Sequence, residues 1–269
     1  MRQTQREATR LRPRIAAIAV PWLLLVCALA AQITWPLLPA GERTWLTMMI
    51  VGLIAATSIS HAWVWQGPRW TLAFIVLTAG ISLLAEIIGV ATGLPFGTYS
   101  YDRSLGWEVG GVPVIIACAW LMMAYPALTV ARQLAGKRWA VIATGTWALA
   151  SWDVFLDPQM IAEGHWTWAP GQALIPLPGL TEVPLQNFAG WLVVSLVLMV
   201  VLTGLRSRPA PTAVPDVLYL WTWLGGITAN LLFLDRPWVA LWGGLAMGVI
   251  GLPLLVTSAV RARAAASPQ

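Results

Sequence analysis

"SWDVFLDPQM", residues 151–160, puts Asp153 and Asp157 four positions apart inside a stretch whose neighbours are those of a membrane helix. Residues four apart on a helix lie one above the other on the same face. Ionisable groups in hydrocarbon are costly, so acids within a span face the bundle interior or water and are functional by default. The fold and the chemistry both turn on whether this stretch does lie in a bilayer.

Composition says that it does. The chain is 58% hydrophobic and only 10% charged, against about a quarter charged in ordinary soluble domains. Fifteen Arg and one Lys, Lys137, sit at the ends of apolar runs. The net charge of +5 therefore forms no patch and implies no nucleic-acid partner. Cys27 and Cys118 fall within apolar runs and read as small buried hydrophobes.

A span needs roughly twenty mostly apolar residues. Eight segments qualify: 15–38, 45–65, 70–92, 112–132, 138–157, 187–205, 217–234 and 238–260. The N-terminus has the charged-then-apolar look of a signal peptide, but the run continues to about Leu38 with no cleavage site, so it reads as a retained first span. The expectation is an all-α, polytopic membrane helix bundle. A basic cytoplasmic segment (1–14) precedes one transmembrane domain (15–260), and a short cytoplasmic tail (261–269) follows.

With the N-terminus inside, thirteen Lys and Arg fall on one side, and only Arg43, Arg103 and Arg236 on the other. Basic loops stay cytoplasmic, which predicts a multi-pass protein of the cell membrane with both termini in the cytoplasm. The acids do the reverse. Glu86, Asp153 and Asp157 lie toward the outer ends of spans three and five, about 23 Å into a ~30 Å hydrocarbon core for Glu86 and Asp153. Asp157 is one turn further out, and Pro158 marks the expected end of that helix.

Spans three and five also begin a repeat. Glu86 precedes Gly97 by eleven residues, and Asp153 precedes Gly164 by eleven. Tyr99 and Tyr101 then align with Trp166 and Trp168, and "VPVIIACAW" (112–120) aligns with "VPLQNFAGW" (183–191). Each unit is an acid near a helix end, an aromatic-x-aromatic loop and a returning helix. Spans 3–4 and 5–6 are thus expected to form an internal parallel repeat with a site between its halves.

Other chemistries lack their parts. Two histidines cannot build a His-rich di-iron centre, and no G-x-G-x-x-G supports a dinucleotide. The one lysine lies in a loop, which removes a rhodopsin-like Schiff base, and no Ser, His and acid stand together. Carboxylates, aromatic rings and water beside lipid remain.

The stretches "EIIGVATGLPFGTYSYDRSLG", "SWDVFLDPQM" and "VPLQNFAGW" resemble the CruF-type carotenoid 1,2-hydratases, polytopic proteins of carotenoid biosynthesis. The resemblance runs from span three through span six. It implies addition of water, without a cofactor or metal, to the terminal double bond of an acyclic carotenoid end group, giving a tertiary alcohol. The partners it implies are a carotenoid within the bilayer, water and other membrane enzymes of the same pathway; the oligomeric state is left open.

Residue chemistry agrees. Hydrating such an alkene starts with proton transfer to carbon, so the donor must be a carboxylic acid kept protonated, as happens beside lipid or near a second carboxylate. Asp153 is the expected acid, with Glu86 and Asp157 as water-side partners. Tyr99, Tyr101, Trp166 and Trp168 would stabilise the cation through their faces, and Asn187 would contact the substrate. Two rivals stand beside this reading: a Mg²⁺-dependent intramembrane prenyltransferase using Asp153-x-x-x-Asp157, and a non-catalytic carotenoid or lipid carrier whose acids are clasped by Arg103 or Arg236.

Overall fold

The computed structural model describes residues 15–39 and 41–266. The basic segment 1–14, with five of the thirteen charges used to orient the chain, and the last three tail residues lie outside the described residues. What folds is the expected helix bundle. The helices are α1 (Ile15–Thr34), α2 (Thr44–Gln66), α3 (Pro68–Thr92), α4 (Val114–Leu134), α5 (Arg138–Ala150), α6 (Asp153–Ala162), α7 (Leu185–Leu202), α8 (Ala213–Leu232) and α9 (Pro237–Ala266).

Among the described residues, seven helical segments, with α5 and α6 taken as one, are long and apolar enough to cross a membrane. The seventh expected span, 217–234, is α8, which has the length but falls short in apolarity. Asp216, two glycines, Asn230 and a run of Trp and Thr dilute it. It is nonetheless packed into the bundle, against α9 and α4. The expected end at Pro158 is also corrected. The fifth span breaks earlier, at Ser151–Trp152, and α6 runs through Pro158 to Ala162. Proline's fixed φ is helical, and its missing N–H costs one bond that membrane helices make good elsewhere.

At the centre lies α4, whose residues from Leu121 to Leu128 are all buried. A helix apolar all round belongs inside a bundle, and α4 packs on α2, α3, α5 and α8. By contrast α1 is peripheral, so Cys27 is exposed and not buried as expected; Cys118 is half-buried. The loops expected to share the basic side do meet. The Arg208 N–H donates to Gln66 Oε1 (2.7 Å), and Arg261 donates to Gln133 Oε1 (2.5 Å).

The repeat is visible in the backbone. Both returning helices start immediately after Val-Pro, with Pro113 (φ −61°, ψ 133°) and Pro184 (φ −66°, ψ 140°) extended at the N-cap. Gly97 and Gly164, aligned in sequence, have φ of +92° and +75°, a conformation that favours glycine. Strand β1 (Tyr99–Tyr101) leads to a small hairpin, β2 (Glu108–Val109) and β3 (Val112–Pro113), and β4 (Trp166–Trp168) belongs to the second loop.

The pairing of β1 with β4 is antiparallel, joining Tyr99 to Trp168, Ser100 to Thr167 and Tyr101 to Trp166. Each position therefore meets the opposite position of the aligned strand, which is the signature of a local two-fold axis between Ser100 and Thr167. Trp120 and Trp191, also aligned, stack on each other at 4.1 Å and 17°. The aromatic ribbon closes one end of the bundle.

The ribbon-bearing loop sits tightly on α7. A Cβ at Gly190 would lie 2.7 Å from the Phe96 ring and 2.9 Å from the Pro95 carbonyl oxygen. Gly190→Ala is expected to lower stability by about 1–3 kcal/mol through overpacking, read as an earlier thermal transition of the detergent-solubilised protein.

Candidate active site

Beneath the ribbon, Glu86 is buried near the end of α3. Tyr99 and Tyr101 are two residues apart on a strand, so both rings leave the same face. Both hydroxyls donate to one oxygen, Glu86 Oε2, at 2.5 and 2.9 Å. Trp120 Nε1 donates to Oε1 at 3.2 Å. Gly89, one turn beyond Glu86, makes the room: a Cβ there would lie 2.8 Å from the Tyr99 hydroxyl. Burial first, and then the neighbouring Glu86 charge, hold both phenols well above their usual range, so both serve as donors.

The second half is built differently. Asp153 opens α6 and Asp157 follows one turn on, each 2% exposed. One amide spans them: Asn187 Nδ2 donates to Asp153 Oδ2 (3.0 Å) and to Asp157 Oδ2. Among the described residues Asp153 Oδ1 is buried with no hydrogen-bond partner. The residues aligned with Asp157 and Asn187 in the first half are Val90 and Ile116. A near-symmetric scaffold thus carries two unlike polar sites, one acceptor held by three donors and one pair of acids under a single amide.

A cavity of about 220 Å³ lies between them. Glu86, Asp157, Tyr99, Tyr101, Trp166, Trp168 and Asn187, all picked out from sequence, line it. Asp153 does not; it stands behind, linked through Asn187. The rings interlock, with Tyr101 edge-on to Trp166 (5.7 Å, 82°) and Tyr99 tilted on Trp168 (6.0 Å, 38°). Trp120, Trp152 and Trp191 also belong to the aromatic wall. Sequence reasoning passed over these three, although Trp120 and Trp191 stood in register in the two Val-Pro helices.

The clasp expected of a mere scaffold does not form. Among the described residues the ion pair is Arg43 with Glu163, at 3.0 Å. Arg236 instead donates to the Pro158 carbonyl (3.1 Å). Nor, among the described residues, are three or more His, Cys, Asp or Glu grouped so as to hold a metal ion. His165 lies outside the cavity wall, its Nδ1 at 3.5 Å from Ser104 Oγ, and burial lowers its basicity. His61 is buried far along the bundle against the Tyr125 hydroxyl (2.8 Å). Asn230 does reach the cavity, with its amide Nδ2 on the Gly226 carbonyl and its Oδ1 buried without a partner.

Similarity to known proteins converges on the same region. A family described as "carotenoid biosynthesis protein" matches residues 43–255. The chain is 32% identical over 202 residues to the bisanhydrobacterioruberin hydratase of Haloarcula japonica, covering 70% of this chain and 64% of that protein. No solved structure matches. With long apolar helices and a family match that takes in the whole acid-and-aromatic site, the chain belongs to the family of carotenoid biosynthesis proteins.

Proposed function

We propose that the protein is a carotenoid hydratase that adds water to the terminal 1,2 double bond of an acyclic end group, without a cofactor. One observation carries the reading: a buried pair of acids bridged by one amide presents Asp157 to an aromatic cavity, and among the described residues no guanidinium pairs with it. Two carboxyl groups held by one amide share a proton, because two adjacent buried negative charges repel. Asp157, which lines the cavity, delivers that proton to C2 of the alkene. The π pair forms the new C–H bond and leaves a tertiary cation at C1.

Indole and phenol faces around the end group stabilise the cation, each by about 2 kcal/mol when desolvated. Water attacks C1 and gives up a proton to Glu86, whose acceptor role fits its three donors. Exchange with water between turnovers returns the proton to the aspartate pair. Asp153, out of reach of substrate, shares the proton with Asp157 and is a positioning residue in this scheme. The name of the Haloarcula japonica relative supports the same chemistry. For the setting, we take the cell membrane with both termini cytoplasmic, as the basic loops favour.

Expression in a host that accumulates lycopene tests the proposal. The pigment should gain the mass of one water per hydrated end, and the activity of purified protein should survive EDTA. Unaltered lycopene beside well-inserted protein would remove the hydratase reading.

A further inference from the structure

A cavity of about 220 Å³ is smaller than the ~300–1,000 Å³ clefts that enclose a drug-sized molecule. It accepts the end group of a polyene and leaves the remainder outside. The rest of the substrate must cross the bundle wall somewhere, and one thinly packed seam borders the cavity on the side of α1 and α8. The cavity runs from the acids between α2 and α4 to α8 and the end of α1. Around that ring α1 packs extensively on α2, α2 on α4 and α4 on α8, whereas α1 and α8 touch sparsely.

Burial changes along the same path. Glu86, Asp157 and Asn187 are buried, while Gln32, Trp221, Gly225 and Ala229 are half-buried lining residues. Among the described residues a side-chain bond crosses the seam, from Trp221 Nε1 to Gln32 Oε1 at 2.8 Å. Beside it Gly225 presents no side chain.

Taking the hydratase reading as its basis, we infer that the α1–α8 seam is the lateral portal through which the polyene passes into the bilayer. The Gln32–Trp221 bond is its bolt, and Gly225 its open threshold. The occupant is the conjugated chain of the substrate itself: an apolar rod suits a half-buried apolar cleft, and only its reacting end needs the polar interior.

Two measurements on the full-length protein test this. In the first, Gly225→Leu is assayed on a forty-carbon carotenoid and on a ten-carbon acyclic terpene with the same terminal alkene. The ratio of long to short substrate turnover should fall by about tenfold or more. Gly80→Leu, on an exposed face of α3, should leave the ratio as in the parent. An unchanged ratio for Gly225→Leu overturns the portal.

In the second, Gly225→Cys is combined with Cys27→Ser and Cys118→Ser. A Cβ at position 225 has ordinary contacts with Trp221 at 3.5 Å, so the thiol fits. Alkylation by a membrane-soluble maleimide should slow severalfold when lycopene is added, and an unaltered rate overturns the portal even if the leucine variant fails to fold. If the parent hydrates neither substrate, the hydratase reading fails; if it hydrates both and neither measurement responds, the portal alone fails.

Discussion

Asp157→Asn should abolish hydration while leaving the protein folded in the membrane. The substitution keeps the side chain's shape and still offers an oxygen to Asn187, whose amide holds the pair, so packing is conserved. What disappears is the transferable proton at the cavity wall. Positioned acid–base groups contribute about 10²–10⁴-fold to rate, so product in a lycopene-accumulating host should drop about a thousandfold. The parallel change, Asp153→Asn, should be milder, because Asp153 stands behind the cavity wall and Asp157 retains its own carboxyl. Equal losses would make the pair a single unit. Full activity of Asp157→Asn, measured as hydrated pigment per amount of membrane-inserted protein, would remove Asp157 as the donor.

Glu86→Leu should cost both activity and stability, and Glu86→Gln mainly activity. Three donors converge on the buried Glu86 carboxylate: the hydroxyls of Tyr99 and Tyr101 and the indole of Trp120. Leucine leaves all three without an acceptor, at about 1–3 kcal/mol for each unsatisfied group, and the two tyrosines also pin the ribbon. Glutamine keeps one carbonyl oxygen for some of them. Thermal unfolding in detergent should therefore rank parent first, Glu86→Gln next and Glu86→Leu last. Hydration should fall steeply in both, since neither replacement can accept a proton from water. A Glu86→Leu protein as stable as the parent would mean that the three donors find other partners.

Much of this was legible from the chain, because a bilayer allows few solutions. Apolar run length located the helices to within a few residues. The aromatic-x-aromatic spacing set Tyr99 and Tyr101 in a loop equivalent to that of Trp166 and Trp168, although not that both stretches would pair as strands. The eleven-residue interval from acid to glycine aligned two halves that do lie across a two-fold axis. Elsewhere the pattern was silent for definite reasons. The break at Ser151–Trp152 has no proline or glycine to mark it, whereas Pro158, which looked like a stop, is carried inside α6. For Asn187 the sequence suggested only a contact with substrate. That it bridges two acids depends on how α7 rotates against α6, which no local spacing encodes. The contribution of α1 and α8 to the cavity is likewise a matter of long-range packing.

The β1–β4 ribbon has a consequence for how the molecule is made. Trp168 emerges from the ribosome sixty-seven residues after Tyr101, so the first half must wait, its strand unpaired, until two further membrane passages have been inserted. Neither half can close the cavity alone, and a nascent chain halted before residue 166 would hold Glu86 and its tyrosines without a lid. Completion of the cavity in this protein is a late event of biogenesis, set by the arrival of the second loop.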